Sequence, residues 1–553
     1  MSANSAIFNP TESTSAATGD GFSCPRLTTT GRLAITFGPN DKGMMVYDTT
    51  LNNLFIWNGT AWESVPASGD STNTQVIFND NGELRGDPGL TYDKAQARVQ
   101  VGTRIDIWRG LNASSTNVAV GRSTLSATQA GANANTAVGN QAGIGLTTGA
   151  NNVFVGANAG FGGGTGGNNV AVGNGSLTLN TAGNDNVAVG NGSLFNVVGI
   201  QNNALGSFSG NAITTGQNNV AIGYAAMGSS GAGAHTGSSN VMVGHLAGYS
   251  FVSITGSDNV GIGRDTLRNL SSGANNIALG QTALNGVSSG QENVSIGANT
   301  LVFCNGTGNI ALGHQAGYGI TTGGVNIAIG YNALLANPGN ITGAGNIAIG
   351  QNSMRSAGAV VGSNNIGCGL DTFRQLTSGS TNIGIGLAAL NVLTTGSNNI
   401  AIGLNAGASI TAGNGNVAIG NGAATVNTAN DNVAIGINSL ALNTSGTNQT
   451  AVGRQALNVA TGSNNTAFGS SAGSNITTGT NNICIGVNAN VSGATNDNEL
   501  VIGSTTSFVA TAGAATTYYN TASAGAVALP AAALGFIRIY LNGSFVKIPV
   551  YGN

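Results

Sequence analysis

The phrase Asn399-Ile400-Ala401-Ile402-Gly403 returns, with variation, 23 times between Gly121 and Gly503, at intervals close to 17 residues. A period that short cannot hold a helix pair, and side-chain alternation over three residues belongs to a strand. Each copy therefore predicts one strand per coil of a β-solenoid. Numbered from the phrase glycine, position −1 is apolar in every copy, from Val120 through Leu279 and Ile402 to Ile502. Position −3 is mostly Val or Ile (Val118, Ile277, Ile400), and −2 is usually Ala. Alternation turns the −3 and −1 side chains one way and the −2 side chain the other. The expectation is an interior lined by the −3 and −1 aliphatics. The nearly flat Ala face, with Gly261, Gly367 and Gly384 in it, is then turned outward for self-association.

The remainder of each coil is patterned as well. Position +3 is small (Ala142, Ser193, Thr266) and +4 is commonly Leu, Met or Phe (Leu125, Met227, Phe373), which predicts a second short strand. Where +4 is glycine, as at Gly317, Gly407 and Gly473, an isoleucine follows three positions later (Ile320, Ile410, Ile476) and restores the coil's core residue. A turn such as Thr394-Thr395-Gly396-Ser397-Asn398 supplies residues that tolerate positive φ and bond locally to the backbone. Asn stands at −4 in 21 of the 23 copies, the exceptions being Gln449 and Glu499. One polar residue recurring so regularly predicts an internal ladder of stacked amides, each bonded to its equivalents above and below.

Composition narrows the function classes. Gly makes up 90 of 553 residues and charged residues only 6%, which excludes both an ordinary globular domain and a charge-rich disordered chain. The formal charge is −3, and the only lysines are Lys42, Lys94 and Lys547, so no basic stripe is on offer and no nucleic-acid partner is expected. Met1-Ser2-Ala3-Asn4 begins no signal peptide, and no run of 18 apolar residues predicts membrane insertion. Cys24, Cys304, Cys368 and Cys484 lack metal-ligand spacing and are expected to be buried small apolar residues. His235, His245 and His314 are expected on outward turns, with no metal and no cofactor. Six carboxylates of the repeat region, Asp185, Asp258, Asp265, Glu292, Asp371 and Asp431, form no catalytic pair that sequence can identify, and no enzyme is expected. Asp265 with Arg268 and Asp371 with Arg374 are expected to be surface ion pairs.

The repeated phrase, with its small residue three positions on, resembles the head repeat of the YadA-type trimeric autotransporter adhesins over roughly residues 111–504. That resemblance implies a left-handed parallel β-roll packed three together. The flanks resemble something else. Pro25-Arg26-Leu27-Thr28-Thr29-Thr30, Tyr47-Asp48-Thr49-Thr50 and Leu54-Phe55-Ile56-Trp57-Asn58-Gly59-Thr60-Ala61-Trp62 are similar to a module of phage tail-fibre proteins, and Gln75-Val76-Ile77-Phe78-Asn79-Asp80 through Val101 to another. Asn58-Gly59 suits a type I′ hairpin with Trp57 and Trp62 packed across it. Gly535 to Pro549, similar to the ends of some phage structural proteins, predicts a second hairpin that covers the last open coil.

The fold expected is thus all-β: a left-handed parallel β-solenoid of about 17-residue coils, homotrimeric, with small β-rich modules at either end. Residues 1–68 form a virion-attachment module, 69–110 a β linker, 111–504 the repeat shaft and 505–553 a cap or tip. The function expected is a trimeric virion fibre that docks on other virion proteins and adheres to a host polysaccharide or protein receptor. A bacterial adhesin passenger and a glycan depolymerase are the alternatives. The phrase spacing lengthens to 21 residues between Gly223 and Gly244 and to 19 before Gly263. Tyr224, His235, His245, Tyr249 and Phe251 gather there as a candidate ligand site whose rings suit sugars. Tyr518 and Tyr519 mark a second place.

Overall fold

A computed structural model describes residues 24–35, 41–65, 74–80, 83–93, 98–101, 105–108, 116–128, 131–231, 233–337, 340–503, 509–511, 535–541 and 544–550. The chain divides into two compact units, residues 1–257 and 258–553.

The first unit opens with a small sheet: β1 (Arg26–Leu27), β2 (Met45–Asp48), β3 (Asn53–Trp57) and β4 (Trp62–Ser64), in that order. β1 and β2 run parallel and the other neighbours antiparallel. Between β1 and β2 lies α1 (Thr29–Leu33), capped by Thr28, whose Oγ1 accepts the Gly31 N–H. So short a helix leaves no periodic trace in the sequence. It delivers Arg32 to a buried ion pair, Nε to Asp48 Oδ2 at 3.0 Å, with the guanidinium 3.6 Å over the Phe55 ring. Burial pushes the Asp48 carboxyl up, but donors from the Leu51 N–H, Arg32, Thr29 and the Thr50 N–H outweigh it and hold the group at about 2. The expected β3–β4 hairpin is present, with Trp57 opposite Trp62 and their rings edge to face at 5.7 Å. Its corner is one residue further on than expected. The Asn58 N–H donates to the Ala61 carbonyl, leaving Gly59 and Thr60 at the tip, while Asn58 Oδ1 accepts the N–H groups of Thr60 and Ala61.

Next comes an antiparallel meander, β5 (Thr74–Asp80), β6 (Glu83–Asp93), β7 (Arg98–Val101) and β8 (Ile105–Trp108). β8 pairs antiparallel with the first phrase strand, Val118–Val120, and so covers the open edge of the first coil. Phrase strands then stack parallel and in register, Val118 on Thr136 on Val153 on Val170, to Val241–Val243 in the first unit and from Val260 to Ile502 in the second. The last coil is covered by Val509–Thr511, antiparallel to Glu499–Ile502. The expected hairpin, Gly535–Leu541 with Ser544–Val550, is present as a separate two-stranded sheet.

The main correction concerns which side of the strand is inside. Ala119, Ala137, Ala221, Ala278 and Ala401 at −2 are wholly buried, whereas Val118, Leu279, Ile402 and Phe468 at −3 or −1 keep 38–60% of their surface exposed. The aliphatics face outward and Ala lines the core. Beside it lie the +3 residue, the +4 Leu, Met or Phe and the +7 residue, as in Ala142, Leu125 and Ile320. Coil volume is conserved by exchange between these positions. Phe373 at +4 fills the space where Gly367 and Gly384 lack side chains, and a Cβ on Gly384 would lie 2.8 Å from its ring. Phe154 at −2 likewise occupies the room left by Gly143 and Gly160. Those glycines at −2 serve the interior, not a close approach of another chain.

The second limb is not a strand. Its +2 and +4 residues adopt left-handed backbone, Gln141 at φ 59° and Leu125 at φ 47° among them, and the limb is a run of turns. Its rungs still bond from coil to coil, as when the Leu177 N–H donates to the Ser193 carbonyl. The phrase glycine allows no substitute: Gly403 sits at φ +135°, and a Cβ there would meet the Gly420 carbonyl oxygen at 2.6 Å.

Candidate functional site

The column at −4 holds the predicted ladder. Asn399 is fully buried, its N–H and Nδ2 both donate to Asn382 Oδ1, and Nδ2 donates again to the Gly413 carbonyl of the following coil. Its own Oδ1 accepts the N–H and Nδ2 of Asn416. The exceptions fall where the pattern bends or stops. Gln449 is one methylene longer and reaches the Ala460 carbonyl instead. Glu499 donates its N–H to Asn482 Oδ1 and then turns its carboxylate to Ser492 and Asn496, ending the column.

The proposed aromatic site divides. Tyr224 and His245 occupy the +1 position of successive coils and stack with ring centroids 5.4 Å apart, both exposed, and Phe208 meets Tyr224 edge to face at 6.2 Å. Tyr249 and Phe251 form an edge-to-face pair at 5.6 Å. The same stacked motif recurs as His314 on Tyr331, at 5.3 Å, in the second unit. Such rings could face a sugar. His235 is not one of them. It is wholly buried, in the core column of Ile213 and Ile254, where its Nδ1 accepts the Ile254 N–H at 3.1 Å and Nε2 faces the Gly228 carbonyl at 3.3 Å. The extra residues of the long coil thus use histidine as an internal polar strut, contrary to the outward turn expected. Tyr518 and Tyr519 lie outside the described residues.

Burial pulls the His235 imidazole down from 6.5 to about 4, with the Gly228 carbonyl opposing the shift. The folded state therefore favours the neutral ring. Its stabilisation is complete above pH 6.5 and is lost as pH falls towards 4, to the extent of about 3 kcal/mol. Amide exchange across residues 228–254, corrected for intrinsic rate, is expected to speed up over that range in the native chain and to do so much less in His235→Gln. Protection independent of pH between 7 and 4.5 would contradict it.

The carboxylates have backbone roles. Asp185, Asp258, Glu292 and Asp431 at −5, and Asp265 and Asp371 at +2, all hold left-handed φ between 56° and 60°, in a region where Asp is better tolerated than most residues. The Asp265–Arg268 pair forms at 3.2 Å. The Asp371–Arg374 pair does not: Asp371 accepts from Asn352 Nδ2 instead. Of the cysteines, Cys304 and Cys484 are buried, and burial raises each thiol to about 11. Cys24 and Cys368 are only partly buried, and Cys368 at −1 stands on the outer aliphatic face, not in the core. Among the described residues no three of His, Cys, Asp or Glu are grouped to hold a metal ion, and no helix is long and apolar enough to cross a membrane.

Comparison with known families finds a match at the N-terminus. Residues 5–76 match the model of a phage tail like trimerisation region, a span that takes in the β1–β4 sheet and its buried Arg32–Asp48 pair. No curated protein and no solved structure matches the chain. A trimerisation region ahead of a parallel β-solenoid of about 17-residue coils supports a trimeric phage fibre.

Proposed function

We propose that this chain is a homotrimeric phage tail fibre that adheres to the host surface, with its solenoid coils associating through the outward Val and Ile ribbon. One observation carries the association: each phrase strand presents its −3 and −1 side chains to solvent, and the columns they form are continuous within each unit. Monomeric proteins rarely expose an apolar patch of more than a few hundred Å². Fifteen phrase strands lie between Val260 and Ile502. At roughly 1 kcal/mol for covering each half-exposed aliphatic, the second unit alone offers on the order of 30 kcal/mol, well above the roughly 4–15 kcal/mol cost of association. The match of the N-terminus to a trimerisation region supports a copy number of three.

The purified protein is expected at three times 54.2 kDa in native mass measurement. Cys368 lies within the ribbon. In a Cys24→Ser background, a short bis-maleimide should join copies through Cys368, and the product should vanish in the Cys24→Ser, Cys368→Ser double variant. A trimer that never cross-links at Cys368 would move the interface elsewhere. Adhesion is supported by the exposed ring pairs Tyr224–His245 and His314–Tyr331, set on a rigid scaffold where threefold repetition multiplies weak contacts. Added trimer should compete with adsorption of the phage to its host, and unimpaired adsorption at saturating trimer would count against the adhesive role.

A further inference from the structure

The second unit contains a cleft of about 870 Å³ that the sequence reading did not single out. It arises where the phrase spacing lengthens, to 20 residues between Gly330 and Gly350 and 19 between Gly350 and Gly369. Its wall is polar and one-signed. Arg355 and Arg374 both line it, together with the amides of Gln315, Asn332, Gln375 and Asn391 and several hydroxyls, and no carboxylate is among the lining residues. The two arginines occupy the same +5 position of successive coils, so their backbones are about one strand spacing, roughly 4.8 Å, apart. Neither guanidinium has an acidic partner among the described residues, since Asp371, three positions before Arg374, is engaged by Asn352. Asn332 is nine-tenths buried, and its Oδ1 has no protein donor. None of the lining residues belongs to the −3 or −1 columns, so the cleft lies on a different wall from the aliphatic ribbon.

We propose that this cleft binds an acidic saccharide, a hydroxyl-rich ligand whose carboxylate or phosphate is held between Arg355 and Arg374. Two stacked like charges without a counter-ion disfavour each other, and an anion between them turns that repulsion into two attractions. Guanidinium forks match carboxylate and phosphate geometry, whereas the amides and hydroxyls around them suit sugar hydroxyls. The volume lies within the usual range for small-ligand sites, but the lining is far more polar than that of a site for an apolar ligand. The proposal deepens the adhesive reading by naming a ligand class, and it rests on that reading only for its biological purpose.

The test is calorimetric titration of the intact protein with three probes: oligogalacturonate, a neutral galactose oligosaccharide of equal length, and glucose 1-phosphate, with inorganic phosphate as the control. At least one acidic sugar is expected to bind tenfold or more tightly than the neutral oligosaccharide and than inorganic phosphate. Affinity should weaken as salt rises and should fall at least tenfold in Arg355→Ala, Arg374→Ala. Both side chains are exposed, so the double variant is expected to keep its native mass and circular dichroism. Equal binding of acidic and neutral sugars, binding unchanged in the double variant, inorganic phosphate binding as tightly as either sugar, or no binding of either acidic sugar would overturn the proposal. Native mass is read on the same samples, so loss of the trimer is told apart from failure of the cleft.

Discussion

Ile383→Asp, Ile385→Asp, Ile400→Asp and Ile402→Asp together are expected to release the trimer contacts around these coils while each coil stays folded. Ala401→Asp alone is expected to unfold its own coil. The contrast follows from alternation along one strand. Ile400 and Ile402 face outward, and a carboxylate there is solvated in the monomer but must be desolvated when copies associate, at a cost of several kcal/mol per ion. Ala401, between them, has no exposed surface, and the coil has no room or counter-charge for an acid there. Limited proteolysis with native mass measurement reads both results. The quadruple variant should dissociate at lower temperature or detergent concentration with its circular dichroism largely intact, and Ala401→Asp should be cut near residue 401 whatever its mass. Reversal of the two phenotypes would put the aliphatics back inside.

Asn399→Ala should destabilise the solenoid locally by about 3–6 kcal/mol, the sum of several buried groups left unpaired at about 1–3 kcal/mol each. The substitution removes the Nδ2 that donates to Asn382 Oδ1 and the Gly413 carbonyl, and the acceptor for two groups of Asn416, so the Gly413 carbonyl and the Asn416 N–H are stranded where water does not reach. Asn399→Asp is expected to be as damaging. It keeps an acceptor for Asn416 but turns a charge towards Asn382 Oδ1 and the Gly413 carbonyl, both of which need donors. Hydrogen exchange should rise in the coils on either side and leave distant coils unchanged, since each coil contacts only its neighbours. A change spread evenly along the chain would show that the ladder acts otherwise.

Much of this was legible from residue order. The spacing of the phrase glycines located all 23 strands, from Val118–Val120 to Glu499–Ile502. The regular Asn announced the ladder. Isoleucines three positions after Gly317, Gly407 and Gly473 are expected in the core, and Ile320, Ile410 and Ile476 are fully buried. The regular Asn also orients the strand. If Asn399 points inward, alternation places Ala401 with it and sends Ile400 and Ile402 out. Hydrophobicity argued the other way, because Val and Ile are ordinarily core residues, and that expectation prevailed wrongly. His235 was misplaced because nothing local distinguishes a histidine in a loop from one that has replaced an aliphatic in a stacked column. The Arg355–Arg374 cleft was missed because its walls come from separate coils, each unremarkable by itself.

By itself, then, the sequence determined the coil length, the strand positions, the amide column and the glycines at which the backbone must turn, because all of these are repeated local requirements of φ, spacing and hydrogen bonding. Only the tertiary structure decided which strand face is enclosed. A coil of about 17 residues closes around a narrow interior. Once the amide column and the +4 side chain are inside, the volume left at −2 suits Ala, or Gly opposite a Phe, and the larger Val and Ile are left on the outer face.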